Sequence, residues 1–214
     1  MGGSLKYNIK NNIIIMNALD NILNRTSSSI LKAPYPSEEE MDLVYRAALR
    51  APDHKWLRPS RFIQITGKGL DKISDIFFNY GKNHIKDISE DKLKKYKSIP
   101  YRSPMIIVLV SNITKHPSVP DHEQMFATAA AAQNILLALN ALNYSGIWRT
   151  GIFAMNSEIE RAFDLDSNQK ILGYLYVGTP GGKIKKIPSL DTKDFVTKIG
   201  SVSYTHLRAH ETRG

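Results

Sequence analysis

The run Arg50-Ala51-Pro52-Asp53-His54-Lys55 places three cationic or imidazole donors, a rigid turn and a carboxylate within six positions, directly behind an amphipathic stretch. Pro52 disfavours a helical Ala51, so the chain should leave the helix there in an extended or turn conformation. Such a helix-exit loop can present several donors to an anionic, planar ligand. The alternative on these residues alone is an ordinary charged loop, with His54 and Asp53 as a local surface pair and Lys55 solvated. A second segment, Asn24-Arg25-Thr26-Ser27-Ser28-Ser29, offers a cation and alternating hydroxyls, the donors a phosphate takes. The same Ser/Thr run could equally be a flexible loop. A third, Gly146-Ile147-Trp148-Arg149-Thr150-Gly151, reads as a loop joining an indole to a guanidinium. The indole could stack on a planar ring or wall it off; the alternative is a buried core tryptophan beside a snorkelling arginine.

Other chemistries are excluded or weaker. The chain has no cysteine, which removes disulfides, thiolate catalysis and Cys-ligated metal centres. His116, Asp121, His122 and Glu123 match no His-Glu-x-x-His spacing and read instead as acids at a helix N-terminus. Gly178 to Gly182 lacks the lysine and hydroxyl of a phosphate loop, and the cluster Lys183, Lys185 and Lys186 reads as solvated unless one lysine meets a phosphate. The formal net charge is +9; Lys6 and Lys10 supply +2 of it, and Arg208 and Arg213 against Glu211 supply +1, leaving +6 for residues 16–201. That field favours anionic ligands, and no nucleic-acid recognition signature accompanies it.

The elements that must position these residues follow from periodicity. Leu19, Ile22 and Leu23 have helical spacing and predict a short helix ending near Asn24. Ser37 with Glu40 is a capping box that opens a second helix, whose buried stripe should hold Met41, Val44, Tyr45, Ala48 and Leu49. Residues 62–66 read as a strand followed by a helix to about Tyr80, and 81–97 as surface loop and helix. The unbroken apolar run 105–110 predicts a central strand buried on both faces. Residues 123–143 read as the longest helix, with Ala127 and Ala129 to Ala132 allowing close packing. A short helix around 158–163 and a last strand at 171–177, broken by Gly178-Thr179-Pro180-Gly181-Gly182, complete one α+β domain over 16–201. The extension 1–15, with Met16 as a plausible start, and the aperiodic tail 202–214 read as outside the functional domain. No signal or membrane-spanning run is evident, which makes a cytoplasmic protein the expectation.

The three ligand segments, together with Pro100-Tyr101-Arg102-Ser103-Pro104 and Gly173-Tyr174-Leu175-Tyr176-Val177-Gly178-Thr179-Pro180, resemble in content and order the nitroreductase superfamily of flavoproteins, in particular its small YdjA-like branch. The resemblance runs from about Met16 to about Val196. It implies an α+β nitroreductase-like fold with a central mixed sheet surrounded by helices, in a domain-swapped homodimer whose C-terminal arm, around 191–196, crosses to the partner. It also implies FMN at the subunit interface, NAD(P)H as electron donor, and a nitroaromatic, quinone or related acceptor reduced by a ping-pong mechanism with no side-chain nucleophile. The FMN-binding positions it implies are Arg25, Thr26, Ser27, Ser29, Arg50, His54, Trp148, Arg149 and Thr150. Arg25 and the hydroxyls are matched to the phosphate, and Arg149 to the phosphate or the N1–C2=O edge. Two departures stand out. Thr26 replaces a common second arginine, and Arg58-Pro59-Ser60 replaces Gln-Pro-Trp beside the pocket. The same fold also carries flavin-dependent dehydrogenation, and a flavin-binding protein without turnover is the non-enzymatic alternative.

Overall fold

A computed structural model describes residues 17–182 and 186–200. The extension 1–15, Met16, Lys183, Lys185, residue 201 and the tail 202–214 lie outside the described residues. Six α-helices and five strands alternate through the described chain: α1 (Ala18–Asn24), β1 (Leu31–Lys32), α2 (Glu38–Ala48), β2 (Ser60–Thr66), α3 (Gly69–His84), α4 (Glu90–Ser98), β3 (Met105–Asn112), α5 (Asp121–Ala141), β4 (Ser145–Arg149), α6 (Ser157–Ala162) and β5 (Gln169–Pro180). None of the described helices is long and apolar enough to cross a membrane.

The sheet runs β1-β5-β3-β2, with β4 also paired to β5. Every pairing among the described residues is antiparallel, so a parallel neighbour would have to come from outside them. β3 is the central strand, and its first seven residues are all buried, as the unbroken apolar run predicts. Alternation sends Ile106, Val108 and Val110 to one face, where they pack with Leu70, Ile73, Phe77, Tyr174 and Tyr176. Met105, Ile107 and Leu109 face the other way, onto Met41, Val44, Ala131, Ile135 and Leu139 from α2 and α5. Helices on both faces bury the central strands β3 and β5, while β2 and β4 stay partly open.

The capping box forms as expected: Glu40 N donates to Ser37 Oγ, and Ser37 N donates to Glu40 Oε2. Four sequence expectations need correction. Leu49 does not belong to the buried stripe of α2; it is the C-cap residue, and it is exposed. α3 continues past Tyr80 to His84. β5 is not broken at Gly178, because the two-residue β1 pairs Lys32 with Thr179 and Leu31 with Pro180. The segment read as a loop at 146–151 is mostly β4, paired to β5 from Ser145–Gly178 to Arg149–Tyr174. The β-formers Ile147 and Trp148 fit that edge, and their flanking glycines obscured it.

Candidate functional site

α5 is the axis on which the candidate residues are hung. It opens after Pro120 with Asp121 and Glu123 in its first turn, where acids offset the helix dipole. Its start is fixed by buried Gln124, whose Oε1 accepts from Thr114 N at 2.9 Å while its Nε2 donates to Thr114 O at 2.8 Å. Glu123, one position earlier, reaches across to His54: its Oε2 lies 2.7 Å from His54 Nδ1. The two side chains are 50% and 40% exposed, so the pair contributes at most about 1 kcal/mol to stability. Its consequence is orientation. His54 is therefore not paired with Asp53. Asp53 Oδ2 instead accepts from Arg58 N at 2.9 Å, closing the loop on itself. Lys55, Trp56 and Arg58 all hold positive φ, a conformation that persists only where its surroundings enforce it. Trp56 is 77% exposed, with the Arg58 guanidinium 5.5 Å from its ring centroid.

At the other end of α5, α1 is fastened by side-chain amides. Asn21 Nδ2 donates to Leu137 O at 3.0 Å, and Asn140 Nδ2 donates to Asn21 Oδ1 at 2.7 Å. The chain leaves α1 at Arg25, its C-cap residue, and Thr26 O accepts from Ser145 Oγ at 3.5 Å. Arg25 Nη1 lies 3.4 Å from Ser27 Oγ and makes no other hydrogen bond among the described residues. Arg25, Thr26 and Ser27 are half-buried, and Ser29 is exposed. On that same side, exposed Arg50 borders a shallow open groove with Asn21, Ala47, Asn134, Leu137 and Ala141.

On β4, adjacent residues point to opposite faces. Trp148, half-buried, packs with the α2–α5 side of the core and donates Nε1–H to Leu172 O at 3.3 Å. Gly173 makes room for it: a Cβ there, at φ +144°, would lie 2.3 Å from Trp148 Nε1 and 2.8 Å from Arg149 O. Arg149 faces the other way, with its guanidinium 5.6 Å from the Tyr176 ring centroid. Its Nε is buried without a hydrogen-bond partner among the described residues. Burial pushes the Tyr176 hydroxyl up to about 12, against the opposing pull of Arg102 and Arg149. Thr150 is exposed and leads into Gly151 at φ +64°.

One chain thus does not gather its candidate residues into one pocket. His54 is held at Glu123 and α1, through Asn21, at Asn140, 17 residues apart on α5, which is about 26 Å along the helix axis. Sequence reasoning missed Glu123 as a partner of His54, seeing only a helix-start acid. It also missed Tyr176 as the shared neighbour of Arg149 and Arg102, although both Tyr176 and Arg102 lie in matched motifs. His116, His122 and Asp121 engage Ser118, Phe126 and Lys115 respectively, and no metal-binding group of three ligands occurs among the described residues.

Comparison with known proteins agrees with this architecture. The family model described as the nitroreductase family matches residues 22–179. The Escherichia coli K12 protein named "Putative NAD(P)H nitroreductase YdjA" is 34% identical over 186 residues, 85% of this chain and 99% of that protein. The solved nitroreductase-like family protein of Bacillus cereus superposes with a TM-score of 0.74 at 20% identity, covering 86% of this chain and 96% of the other. The NADPH:FMN oxidoreductase of Vibrio harveyi, solved with NAD+, gives 0.67 at 16% identity, over 88% and 79% of the two chains. With a family model spanning most of the sheet and helices and a relative alike over nearly its whole length, the chain belongs to the nitroreductase family.

Proposed function

We propose that this chain is an FMN-dependent oxidoreductase that takes reducing equivalents from NAD(P)H and delivers them to a nitroaromatic, quinone or related acceptor in a ping-pong cycle, as a cytoplasmic homodimer. The observation that carries the reading is a pair of unsatisfied cationic donors, with His54 and α1 anchored at opposite ends of α5. Arg149 Nε is buried and unpartnered among the described residues, and the Arg25 guanidinium has only a 3.4 Å contact to Ser27. Both fit an anionic, hydrogen-bond-accepting cofactor. Because the half-sites lie at opposite ends of α5, a complete pocket requires a second copy to bring its own half. Exposed Leu19, Ile22 and Leu23 on α1 supply an apolar face for that copy to cover. The curated E. coli relative, named for NAD(P)H, and the V. harveyi enzyme, named for NADPH and FMN, support the same chemistry.

Bound FMN would supply the hydride chemistry, and the protein would supply position and charge. Arg25, Thr26, Ser27 and Ser29 hold the phosphate in this reading. Arg50 and His54 meet the ribityl chain or the ring edge. Arg149 places positive charge toward the N1–C2=O edge, where it favours the reduced anionic ring; Trp148 and Thr150 fix the β4 terminus beside it. The test is the colour of the purified protein: a yellow preparation whose acid-released pigment is FMN, sedimenting as a dimer and oxidising NAD(P)H when a nitroaromatic or quinone is supplied. Colourless protein that takes up no added FMN overturns the flavin reading. A monomer with full flavin occupancy overturns the shared pocket, and flavin without NAD(P)H turnover overturns the enzymatic part.

A further inference from the structure

We propose that Glu123 is a positioning residue for His54: it fixes the imidazole with the proton on Nδ1, so that Nε2 is offered as an acceptor to a ribityl hydroxyl of the flavin rather than as a donor to its phosphate. This deepens the flavin reading above and rests on it.

A carboxylate accepts and does not donate, so at 2.7 Å from Glu123 Oε2 the Nδ1 atom of His54 must carry the hydrogen. In the neutral ring Nε2 then holds a lone pair. Nε2 has no hydrogen-bond partner among the described residues, and half the side-chain surface is open. The backbone on each side of the pair is held in place. Gln124 clamps the first turn of α5 to Thr114 through both of its amide atoms. The histidine side is held by Asp53, which accepts from Arg58 N through its carboxylate and from Trp56 N through its carbonyl, across a loop with three positive-φ residues. The charges argue the same way. Glu123 puts a carboxylate on this ring, and Arg58, a nearby cation, is turned away to Asp53. A phosphate would meet repulsion there, whereas a neutral hydroxyl donor would not. Arg25, with its serines, lies on the far end of α5 and carries no such carboxylate in its hydrogen bonds.

The experiment has a spectroscopic arm and a binding arm. In flavin-free protein labelled with 15N-histidine, the His54 signals are identified by their loss in His54→Ala. The neutral ring should be in the Nδ1–H form, and Glu123→Leu should move it toward Nε2–H. In titrations with FMN and with riboflavin, which lacks the phosphate, His54→Ala and Glu123→Leu should each weaken both ligands by about the same factor, near tenfold. Glu123→Gln, which can still accept from Nδ1–H, should recover most of the loss. The double variant should bind no worse than His54→Ala alone, and Arg25→Ala should weaken FMN while sparing riboflavin. An Nε2–H ring in the parent protein overturns the proposal, as does an undiminished effect of Glu123→Leu in the His54→Ala background. A His54→Ala loss confined to FMN reassigns His54 to the phosphate and overturns it too. If the parent binds neither flavin, the flavin reading falls and takes the ligand half of this inference with it. The 15N arm still decides whether Glu123 sets the ring.

Discussion

Gly173→Ala should be the most damaging one-carbon change near the candidate site. Two separate costs meet there. At φ +144° an L side chain is strained by about 1–3 kcal/mol. The new Cβ would also lie 2.3 Å from Trp148 Nε1 and 2.8 Å from the Arg149 carbonyl oxygen, and one of those contacts is backbone that cannot rotate away. Overpacking of this kind costs about another 1–3 kcal/mol. Together the change should remove about 2–6 kcal/mol, against a total stability of about 5–15 kcal/mol for a domain. Gly67→Ala isolates the strain: Gly67 has φ +51°, and an added Cβ meets nothing within 4 Å. It should cost only about 1–2 kcal/mol. Urea unfolding at one fixed protein concentration reads both, because assembly makes the midpoint concentration-dependent. The chain has two tryptophans, and Trp56→Phe leaves Trp148 as the sole reporter. Gly173→Ala should then shift the Trp148 emission as its hydrogen bond to Leu172 O is lost. If Gly173→Ala unfolds no earlier than Gly67→Ala and the emission does not move, the packing argument for β4 is wrong.

Two further outcomes test the scaffold around the site. Glu160 is 4% exposed and accepts from both Lys170 Nζ and Ile171 N at 3.0 Å; Glu160→Ala strands both donors and should cost about 2–3 kcal/mol, with Glu160→Gln recovering part of it in the same urea assay. Burial raises the Tyr176 hydroxyl to about 12 and also raises Tyr45 and Tyr174. Above pH 10 the unfolded chain therefore releases these protons before the folded one does. Stability is full below pH 10 and should fall as pH rises toward 12, by about 1.4 kcal/mol per pH unit for each such tyrosine; Tyr176→Phe should flatten that fall, read from unfolding midpoints at stepped alkaline pH.

Local patterns were legible wherever one element's own residues decide the outcome. The Ser37–Glu40 box, the apolar run of β3 and the acids opening α5 each carry their cause within a few positions. What escaped is what depends on a distant neighbour. β1 exists only because Thr179 and Pro180 lie alongside two residues that show no strand pattern of their own. β4 hides between glycines that punctuate like loop residues, although Gly146 is a strand position packed against Leu136 and Leu139 of α5. Leu49 keeps helical spacing with Tyr45 but falls one residue past the helix end, where the turn directs it to solvent.

The same distinction governs the site. Adjacency in a motif says which residues travel together, and the fold decides which of them can act together. Trp148 and Arg149 are neighbours in sequence, yet strand alternation gives one to the α2–α5 core and the other to the Tyr176 face. His54 and Glu123 are 69 positions apart, yet they form a 2.7 Å contact. Resemblance to a family identifies the first kind of relation, because motifs are read along the chain. It is silent on the second, since Glu123 looks from sequence like any acid in a first helical turn. The long helix α5 converts between the two: it fixes His54 at its start, and its C-terminal half borders Arg50 and fastens α1 through Asn21. The proposal that two copies share the flavin rests on that spacing of anchors along one helix. In that proposal, assembly of two copies matters as much as any single side chain.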